Sequence, residues 1–463
     1  MSDQRPSGPP DTAAAAQAMK QLADQVHAAA WTAAEAGARD FIAHWPDRVF
    51  GWSVLGTVLQ QLGRHTAARD ALVQATTLAP DDASLHARLG NALRSLGRFD
   101  AAIASYQRSL ALAPGHAPAH YNLGNAWRSI GRLDEAVASY QRALAIRADH
   151  RQAQLNLGNA LQELGRFDAA EACYREAARI DPAWHAPHFN QHALRLNHGD
   201  VAGAIHCVQA ALARDADNLA YHFFLGQLLD YSGQAAAAAG HWQRIEQAGA
   251  AGAAAAAPAA ERTARARLDA WRYLQSATGS ALPTLAGTAW QIFRLGLAAA
   301  NEHGLVLEFG VRFGRSIRQI ASLVDGPVHG FDSFEGLPEA WHHEPQGSYS
   351  TRGVLPQVPP QVSLHAGWFE HTLPNFLQQQ PGPARFINID CDLYSSTRTV
   401  LDLLAERIVP GTVIVFDEYI GNAHWRDDEF KAFQEAVARH GWAYDYLAFS
   451  FATKQVVVRL RAA

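Results

Sequence analysis

The sequence lacks the features that mark disulfide-rich, membrane-spanning and nucleic-acid-binding proteins. Its three cysteines, Cys173, Cys207 and Cys391, form neither an even disulfide framework nor a metal-ligand spacing, so we expect a reducing, cytoplasmic setting. No apolar run approaches the ~20 residues of a membrane helix, and the N-terminus has no basic region followed by an apolar stretch. With 39 basic and 44 acidic residues the net charge is −5, so we expect neither a nucleic acid nor a membrane partner.

Lysine is almost absent, because the chain uses it only at positions 20, 431 and 454 and otherwise uses arginine. Together with the high alanine content this indicates a compositional bias, so the arginines carry no phosphate-binding prediction. The length of 463 residues predicts two or more domains.

The first half of the chain repeats with a period of 34 residues. A Leu-Gly pair recurs on this grid, followed in each unit by Gly-Arg or Gly, then Ala, then an aromatic residue, with Pro at the end of several units. The pairs are Leu55-Gly56, Leu89-Gly90, Leu123-Gly124, Leu157-Gly158 and Leu225-Gly226. This pattern resembles the tetratricopeptide repeat. We predict six repeats over 47–248, preceded by a helical extension or degenerate repeat over 1–46.

Each repeat is predicted to be a pair of short amphipathic helices that approach closely at Gly and Ala, with the aromatic ring filling the gap. Because one pair does not bury its apolar face alone, neighbouring pairs stack into an all-α superhelix. The concave groove of such a superhelix usually binds a protein or peptide, so we predict a partner of this kind. Asn91, Asn125 and Asn159 recur once per repeat. Their amides either bind an extended peptide or are neutral copies spread by repeat duplication.

Residues 249–283 are predicted to be an Ala-rich linker and a docking helix, followed by a different domain over 284–463. In that domain apolar runs alternate with helical patterns, which predicts an α/β, doubly wound sheet. The predicted strands are seven and cover 304–310, 327–332, 362–366, 385–391, 411–417, 444–450 and 454–460. The last two are joined by three residues and must be antiparallel. This arrangement resembles the Rossmann-like fold of class I S-adenosylmethionine-dependent methyltransferases.

A glycine turn after the first predicted strand is the first candidate ligand site. Gly310 and Gly314 permit close approach of a ligand, and a helix beginning near Ser316 offers free N–H groups to a carboxylate. Asp332 ends the next strand, where an acid binds ribose hydroxyls. Its alternative role is a helix N-cap. Together these residues favour a nucleoside cofactor.

A cluster of acids follows two neighbouring strands. Strand alternation predicts Asp390 and Asp392 on one face, and Asp417 and Glu418 end the adjacent strand, so Asp390 and Asp417 can share one ion. Oxygen-only ligands select Mg²⁺, or else Mn²⁺ or Ca²⁺, over zinc. The alternative is that these acids, with the help of Ser395, Ser396 and Thr397, cap the following helices.

Five motifs occur in the order found in the macrocin O-methyltransferase family, and over about 304–420 the chain resembles that family. They are Glu308-x-Gly310-Val311-x-x-Gly314, Phe331-Asp332-Ser333-Phe334-x-Gly336-Leu337-Pro338, Gly367-x-Phe369-x-x-Thr372-Leu373-Pro374, Asp390-x-Asp392-Leu393-Tyr394-x-Ser396-Thr397 and Gly411-x-x-Ile414-x-x-Asp417.

The resemblance implies Mg²⁺ at Asp390, Asp417 and Glu418, and Asp392 as the general base. Members of the family often carry Asp where this chain has Glu418. The motifs also assign a group of residues to the S-adenosylmethionine site. That group is Glu308, Gly310, Gly314, Ser316, Asp332, Ser333, Gly367 and Asp390.

We therefore expect an S-adenosylmethionine- and Mg²⁺-dependent O-methyltransferase that acts on a hydroxyl of a sugar, a glycosylated metabolite or a glycan. The repeats would recruit the substrate or a partner protein. A metal-dependent glycosyltransferase with tetratricopeptide repeats and a non-catalytic scaffold are the alternatives. The irregular stretch 336–361 is predicted to be an active-site lid, and residues 420–426 are predicted to lie over the site.

Overall fold

The computed structural model describes residues 12–248, 258–279 and 281–462. The chain divides into two compact units between Asn156 and Leu157, and each unit is described by itself. Most of the predicted linker, 249–257, lies outside the described residues. None of the helices within the described ranges is long and apolar enough to cross a membrane.

Between residues 12 and 156, all the regular elements of the first unit are helices. Consecutive helices pack against one another. Their bounds are α1 (Thr12–His27), α2 (Trp31–His44), α3 (Val49–Gln61), α4 (His65–Leu78), α5 (Ala83–Ser95), α6 (Phe99–Leu112), α7 (Ala117–Ser129), α8 (Leu133–Ile146) and α9 (Arg151–Glu163), which continues into the second unit.

Close packing of glycine against an aromatic ring holds several of the helix pairs together, as the repeat pattern predicts, whereas Gly56 packs against Leu72. A Cβ built on Gly90 would lie 2.6 Å from the ring of Tyr106, and one on Gly124 would lie 2.6 Å from the ring of Tyr140. Both tyrosines are fully buried. Any side chain at these glycines would therefore push the two helices of the repeat apart.

The recurring asparagines have a structural function that neither alternative from the sequence contained. The Oδ1 atom of Asn125 accepts a hydrogen bond from the Tyr140 hydroxyl at 2.8 Å and from Nδ2 of Asn156 at 2.9 Å. The same pair of bonds is made to Asn91 and to Asn159 in their own repeats. Each Asn therefore links its own helix pair to the first helix of the next repeat.

The second unit contains the remaining repeat helices, a further helix and the sheet. The helices are α10 (Phe167–Ile180), α11 (His185–Asn197), α12 (Val201–Leu212), α13 (Leu219–Tyr231), α14 (Ala235–Ala248) and α15 (Ala259–Thr278). Helix α15 packs against the sheet through Trp271, which is fully buried, with ring centroids 5.8 Å from Phe449 and 6.5 Å from Phe451.

One eight-stranded sheet follows, with the order β1-β7-β8-β6-β5-β2-β3-β4. Its strands are β1 (Thr284–Leu285), β2 (Leu305–Phe309), β3 (Val328–Asp332), β4 (Val362–Ala366), β5 (Ala384–Ile389), β6 (Val413–Phe416), β7 (Ala443–Ser450) and β8 (Gln455–Arg461). Its helices are α16 (Ala289–Ala299), α17 (Arg315–Ala321), α18 (Phe369–Gln379), α19 (Tyr394–Leu403) and α20 (Glu429–His440).

The predicted doubly wound sheet is confirmed. All seven predicted strands form, and β8 is antiparallel to both β6 and β7, while the other pairs are parallel. The sheet has one strand more than predicted, the two-residue β1 beside β7. The chain order reverses between the neighbours β2 and β5, so their carboxyl ends form the crevice where open α/β sheets bind ligands.

Repeat helices of the second unit contact the sheet domain directly. Glu163 forms an ion pair of 2.5 Å with Arg315, the first residue of α17, and its backbone oxygen accepts a hydrogen bond from Gln319 at 2.8 Å. The rings of Phe167 and Trp290 meet edge to face at 5.3 Å. The helix that follows the glycine turn is thus held by a repeat.

Candidate active site

The glycine turn after β2 is closed by contacts that only glycine permits. Gly310 has φ 93°, and a Cβ on it would overlap the backbone oxygen of Asp390. Its N–H donates to the backbone oxygen of Phe331 at 2.9 Å. Gly310 therefore lets the ends of β2, β3 and β5 come together. Gly314, with φ 74°, precedes α17 directly.

Asp332 joins the glycine turn to the end of β3. Its Oδ2 accepts the N–H of Arg312 at 2.7 Å, and its Oδ1 accepts the N–H of Phe334 at 2.6 Å. Burial raises the pKa of this carboxyl, and the backbone hydrogen bonds oppose that rise. In the described part of the chain it caps no helix, so the N-cap alternative is wrong.

Ser333 and Gly367 lie at the same edge of the sheet. The Ser333 hydroxyl accepts the N–H of Glu335 at 3.1 Å. Gly367, with φ 136°, donates its N–H to the backbone oxygen of Asp332 at 2.9 Å. Both residues therefore shape the turns around Asp332, and Gly367 does so through its backbone.

Glu308 is a fully buried carboxyl on β2 with one unused oxygen. Its Oε1 accepts from Nδ2 of Asn388 at 3.0 Å, while Oε2 is buried without a hydrogen-bond partner. Burial raises its pKa to about 8, although the Asn388 amide and the nearby Ser316 hydroxyl act in the opposite direction. A buried acceptor without a donor is costly, and a cationic ligand group would satisfy it.

Asp390 and Asp417 lie side by side, as predicted. They follow the paired residues Ile389 and Phe416, and the N–H of Asp417 donates to the oxygen of Ile389 at 3.0 Å. Burial and then the Asp417 charge raise the pKa of Asp390 well above its usual value. Burial and then the Glu418 charge raise that of Asp417 to about 7.

Asp392 reaches the same cluster by a different route from the one predicted. The alternation argument is wrong, because β5 ends at Ile389 and Asp392 has a left-handed φ of 60°. The turn nevertheless leaves it close enough to Asp390 to raise that residue's pKa. Burial and then the charge of Glu418 raise the pKa of Asp392 to about 6.

Glu418 is already engaged by other side chains. Its Oε1 lies 2.6 Å from Nζ of Lys454, and its Oε2 accepts from Nδ2 of Asn422 at 3.2 Å. Gln455 donates to Oδ1 of Asp417 at 2.6 Å. Within residues 12–248, 258–279 and 281–462, no group of three or more His, Cys, Asp or Glu side chains is arranged to hold a metal ion. The predicted set Asp390, Asp417 and Glu418 is therefore not preassembled.

Two residues of this cluster were not predicted from the sequence. Glu429, the first residue of α20, is fully buried. It accepts the N–H of Glu418 at 3.1 Å through Oε2, and its Oε1 has no partner. Burial, followed by the charge of Asp417, raises its pKa well above the usual value. Glu429 belongs to a helical pattern and Lys454 to a hairpin turn, so no local motif marks either one. The rarity of lysine was the one available signal.

The irregular stretch 336–361 is hydrogen-bonded to Asp428, which precedes Glu429 of the acidic cluster. Nε1 of Trp341 donates to Oδ2 of Asp428 at 3.1 Å, and Nε2 of His342 lies 3.0 Å from the same oxygen. The imidazole of His342 stacks on that of His424 at 3.7 Å. Segments 336–361 and 420–426 thus meet at Asp428, next to Glu429.

Comparisons with known proteins match these two parts of the chain separately. Residues 307–419 match the family model described as a methyltransferase domain. Residues 53–117, 88–150, 121–184 and 194–254 match the model described as a tetratricopeptide repeat.

A curated relative is similar to part of the chain. It is the 8-demethyl-8-(2,3-dimethoxy-alpha-L-rhamnosyl)-tetracenomycin-C 4'-O-methyltransferase of Streptomyces olivaceus, 32% identical over 110 residues. The match covers 19% of this chain and 40% of that relative, so the chain spans well under half of the relative's length.

Solved structures similar to the chain include those of MamA and YrrB. The MamA protein is 23% identical, with a TM-score of 0.34, over 36% of this chain and 92% of that one. YrrB, described as a tetratricopeptide-repeat protein with an unusual peptide-binding site, is 19% identical, with a TM-score of 0.33, over 36% and 85%.

Proposed function

We propose that the chain transfers a methyl group from S-adenosylmethionine to a hydroxyl. The chain joins tetratricopeptide repeats to a methyltransferase domain, as its sequence predicted. The match of residues 307–419 favours methyl transfer over glycosyl transfer and over a scaffold role. The S. olivaceus relative is by its name an O-methyltransferase, which favours oxygen as the acceptor atom.

The observation that carries the proposal is the unpaired, buried Oε2 of Glu308 at the crevice between β2 and β5. S-adenosylmethionine presents an ammonium group and a ribose, and the crevice offers a carboxylate oxygen for the first and Asp332 for the second. Oδ1 and Oδ2 of Asp332 each accept one backbone N–H. Each oxygen retains capacity for a second hydrogen bond. The predicted residues Gly310, Gly314, Ser316, Ser333, Gly367 and Asp390 surround these two acids in the proposed site.

Asp392 is the proposed general base. A hydroxyl is a weak nucleophile until its proton leaves, and a base works best when its pKa is near the working pH. Burial and neighbouring charges bring the pKa of Asp392 to about 6, so its carboxylate predominates at neutral pH while still accepting a proton. Asp392 lies in a turn with φ 60°, near enough to Asp390 to raise the pKa of that residue, which supports a place for its carboxyl in the proposed site. Positioning of donor and acceptor supplies the remainder of the rate.

A divalent cation, Mg²⁺, is the proposed second requirement. The carboxyls of Asp390, Asp417 and Glu429 are crowded and hold their protons above the usual pKa, so the cluster has an unmet demand for positive charge. Oxygen-only donors suit Mg²⁺. Asp390 and Asp417 would hold it, together with Glu418 once that side chain leaves Lys454. When bound, the ion would lower the pKa of the acceptor hydroxyl.

The acceptor is proposed to be a sugar hydroxyl on a metabolite or glycan. This rests on the name of the S. olivaceus relative, which describes a rhamnosyl group, and on the motif resemblance. The repeats are proposed to bind a protein or peptide that presents the acceptor.

Methyl transfer is tested by incubating the full chain with isotopically labelled S-adenosylmethionine and rhamnosylated or other glycosylated acceptors, with and without EDTA. We expect a labelled product with the mass of one added methyl group, and loss of that product in EDTA. Asp392→Asn should reduce its formation at least about a hundredfold. A labelled product equally abundant with Asp392→Asn would contradict the role of this base.

A further inference from the structure

Lys454 is a cation placed inside an acidic cluster. It ends the turn between β7 and β8 with a left-handed φ of 63°, and its backbone oxygen accepts the N–H of Ile420 at 3.3 Å. Its Nζ lies 2.6 Å from Oε1 of Glu418. The Lys454 side chain is 38% exposed and that of Glu418 15% exposed, so the pair is partly shielded from water.

The ammonium of Lys454 lies beside a cluster of five acidic side chains. Asp390, Asp392, Asp417, Glu418 and Glu429 gather at the ends of β5 and β6 and the start of α20, and Oε1 of Glu429 is fully buried without a partner. Arg312 also faces Asp392, but the Lys454 charge acts on both Asp392 and Asp417. Lys454 is thus the cation in direct contact with the acid that the metal prediction requires.

We propose that Lys454 controls divalent-cation binding, because its ammonium is the resident counter-charge of Glu418 and the ion gains Glu418 only when this ion pair opens. This inference rests on the proposed Mg²⁺ site. It explains why the predicted ligands are not preassembled: Glu418 is bonded to Lys454 and Asn422 instead. An ammonium is a point charge with rotatable donors, so its departure is an ordinary side-chain motion.

Lys454 and a divalent cation would therefore compete for Glu418, and substitution of Lys454 tests this competition. Replacing Lys454 by Met keeps most of the length of the unbranched side chain and removes the charge that a cation must displace. Replacing it by Asn removes the charge with a residue that tolerates the left-handed backbone. Both changes free a Glu418 oxygen and add one net negative charge to the cluster.

Mn²⁺, followed by electron paramagnetic resonance, is the probe, because it substitutes for Mg²⁺ at oxygen ligands and its free fraction is measured directly. We expect Lys454→Met and Lys454→Asn to lower the Mn²⁺ Kd about fivefold, the factor for a partly exposed ion pair. The control is Lys20→Met, which changes the net charge equally at an exposed residue of α1, and it should leave the Kd unchanged.

Repeating the Lys454 substitution in the Glu418→Gln variant distinguishes the loss of the Glu418–Lys454 ion pair from the general effect of removing a positive charge. In Glu418→Gln the ion pair of Lys454 is absent, so adding Lys454→Met should lower the Mn²⁺ Kd by clearly less than fivefold, through the remaining effect of this charge on Asp392 and Asp417. An unchanged or weaker Kd in both Lys454 variants would overturn the proposal. The same fivefold gain in the Glu418→Gln background would overturn it too. If neither Lys454 variant folds, wild-type and Glu418→Gln chains that bind Mn²⁺ equally well would count against it.

Failure of this inference differs from failure of the proposed function. S-adenosylmethionine affinity is measured by calorimetry in the same samples in the presence of EDTA. Absence of cofactor binding overturns the proposed methyl transfer. Normal cofactor binding with no gain in Mn²⁺ affinity overturns the role of Lys454 alone.

Discussion

Glu308 is a single buried carboxyl that connects the glycine turn with the two central strands. Because its pKa is about 8, it is mainly protonated at pH 7 in the free protein. A bound ammonium favours the carboxylate and lowers that pKa. Binding of S-adenosylmethionine at pH 7 should therefore release up to about one proton. Calorimetry in two buffers of different ionisation enthalpy measures this release. In Glu308→Gln the release should disappear, and a release unchanged in that variant would remove Glu308 from the ligand site.

Substitution of Gly310 tests whether the close backbone approach in the glycine turn is needed for stability. A methyl group at this position meets the backbone oxygen of Asp390, and the backbone has φ 93°. Gly310→Ala should lower the free energy of unfolding by about 3 kcal/mol or more. Gly326 is the matched control, because it is exposed and a methyl group there would have no atom within 4 Å. Gly326→Ala should change stability by less than about 0.5 kcal/mol. Urea denaturation measures both, and equal effects would show that the close approach is not essential.

Asp417 should make the stability of the metal-free protein depend on pH. Its folded pKa of about 7 is above the unfolded value, so the folded state binds the extra proton. This contribution to stability is fully present below the unfolded pKa and is lost as pH rises toward about 7. Asp417→Asn has no such loss, so it should gain stability relative to wild type between pH 5 and pH 8. Urea denaturation in EDTA at the two pH values checks this, and a constant difference would contradict it.

Among the secondary-structure elements, the sequence predicted those that a local pattern of residues marks. Runs of Val, Ile and Phe marked the seven longer strands, and the 34-residue period marked the helix pairs. The strand β1 was missed because Thr284 and Leu285 alone form no pattern. The ion pair of Glu418 and Lys454 joins residues 36 positions apart in different elements, which no local reading reveals.

The asparagine links between repeats give an element-scale prediction. Asn125→Ala removes the acceptor shared by Tyr140 and Asn156, so it should lower the free energy of unfolding by about 1–3 kcal/mol. Tyr140→Phe removes one of the two donors. If both act through one hydrogen bond, the double variant should cost less than the sum of the two single variants. Additive costs in urea denaturation would show that the link is not a coupled unit.

At the scale of the whole molecule, the compact second unit begins at Leu157 and includes repeats as well as the sheet. Glu163 and Phe167 contact Arg315 and Trp290 within this unit. A chain comprising 151–463 should therefore bind S-adenosylmethionine with wild-type affinity. A chain comprising 258–463 should unfold at lower temperature and bind it more weakly. Thermal unfolding and calorimetry compare the two, and equal behaviour would mean that the repeats do not support the sheet domain.

Isothermal titration calorimetry of the full chain with S-adenosylmethionine directly measures cofactor binding at the proposed site, the crevice of Glu308 and Asp332. We expect saturable binding with one molecule per chain and a Kd between about 1 µM and 1 mM. A folded chain that shows no saturable heat at about 1 mM cofactor would contradict cofactor binding and, with it, the proposed methyl transfer.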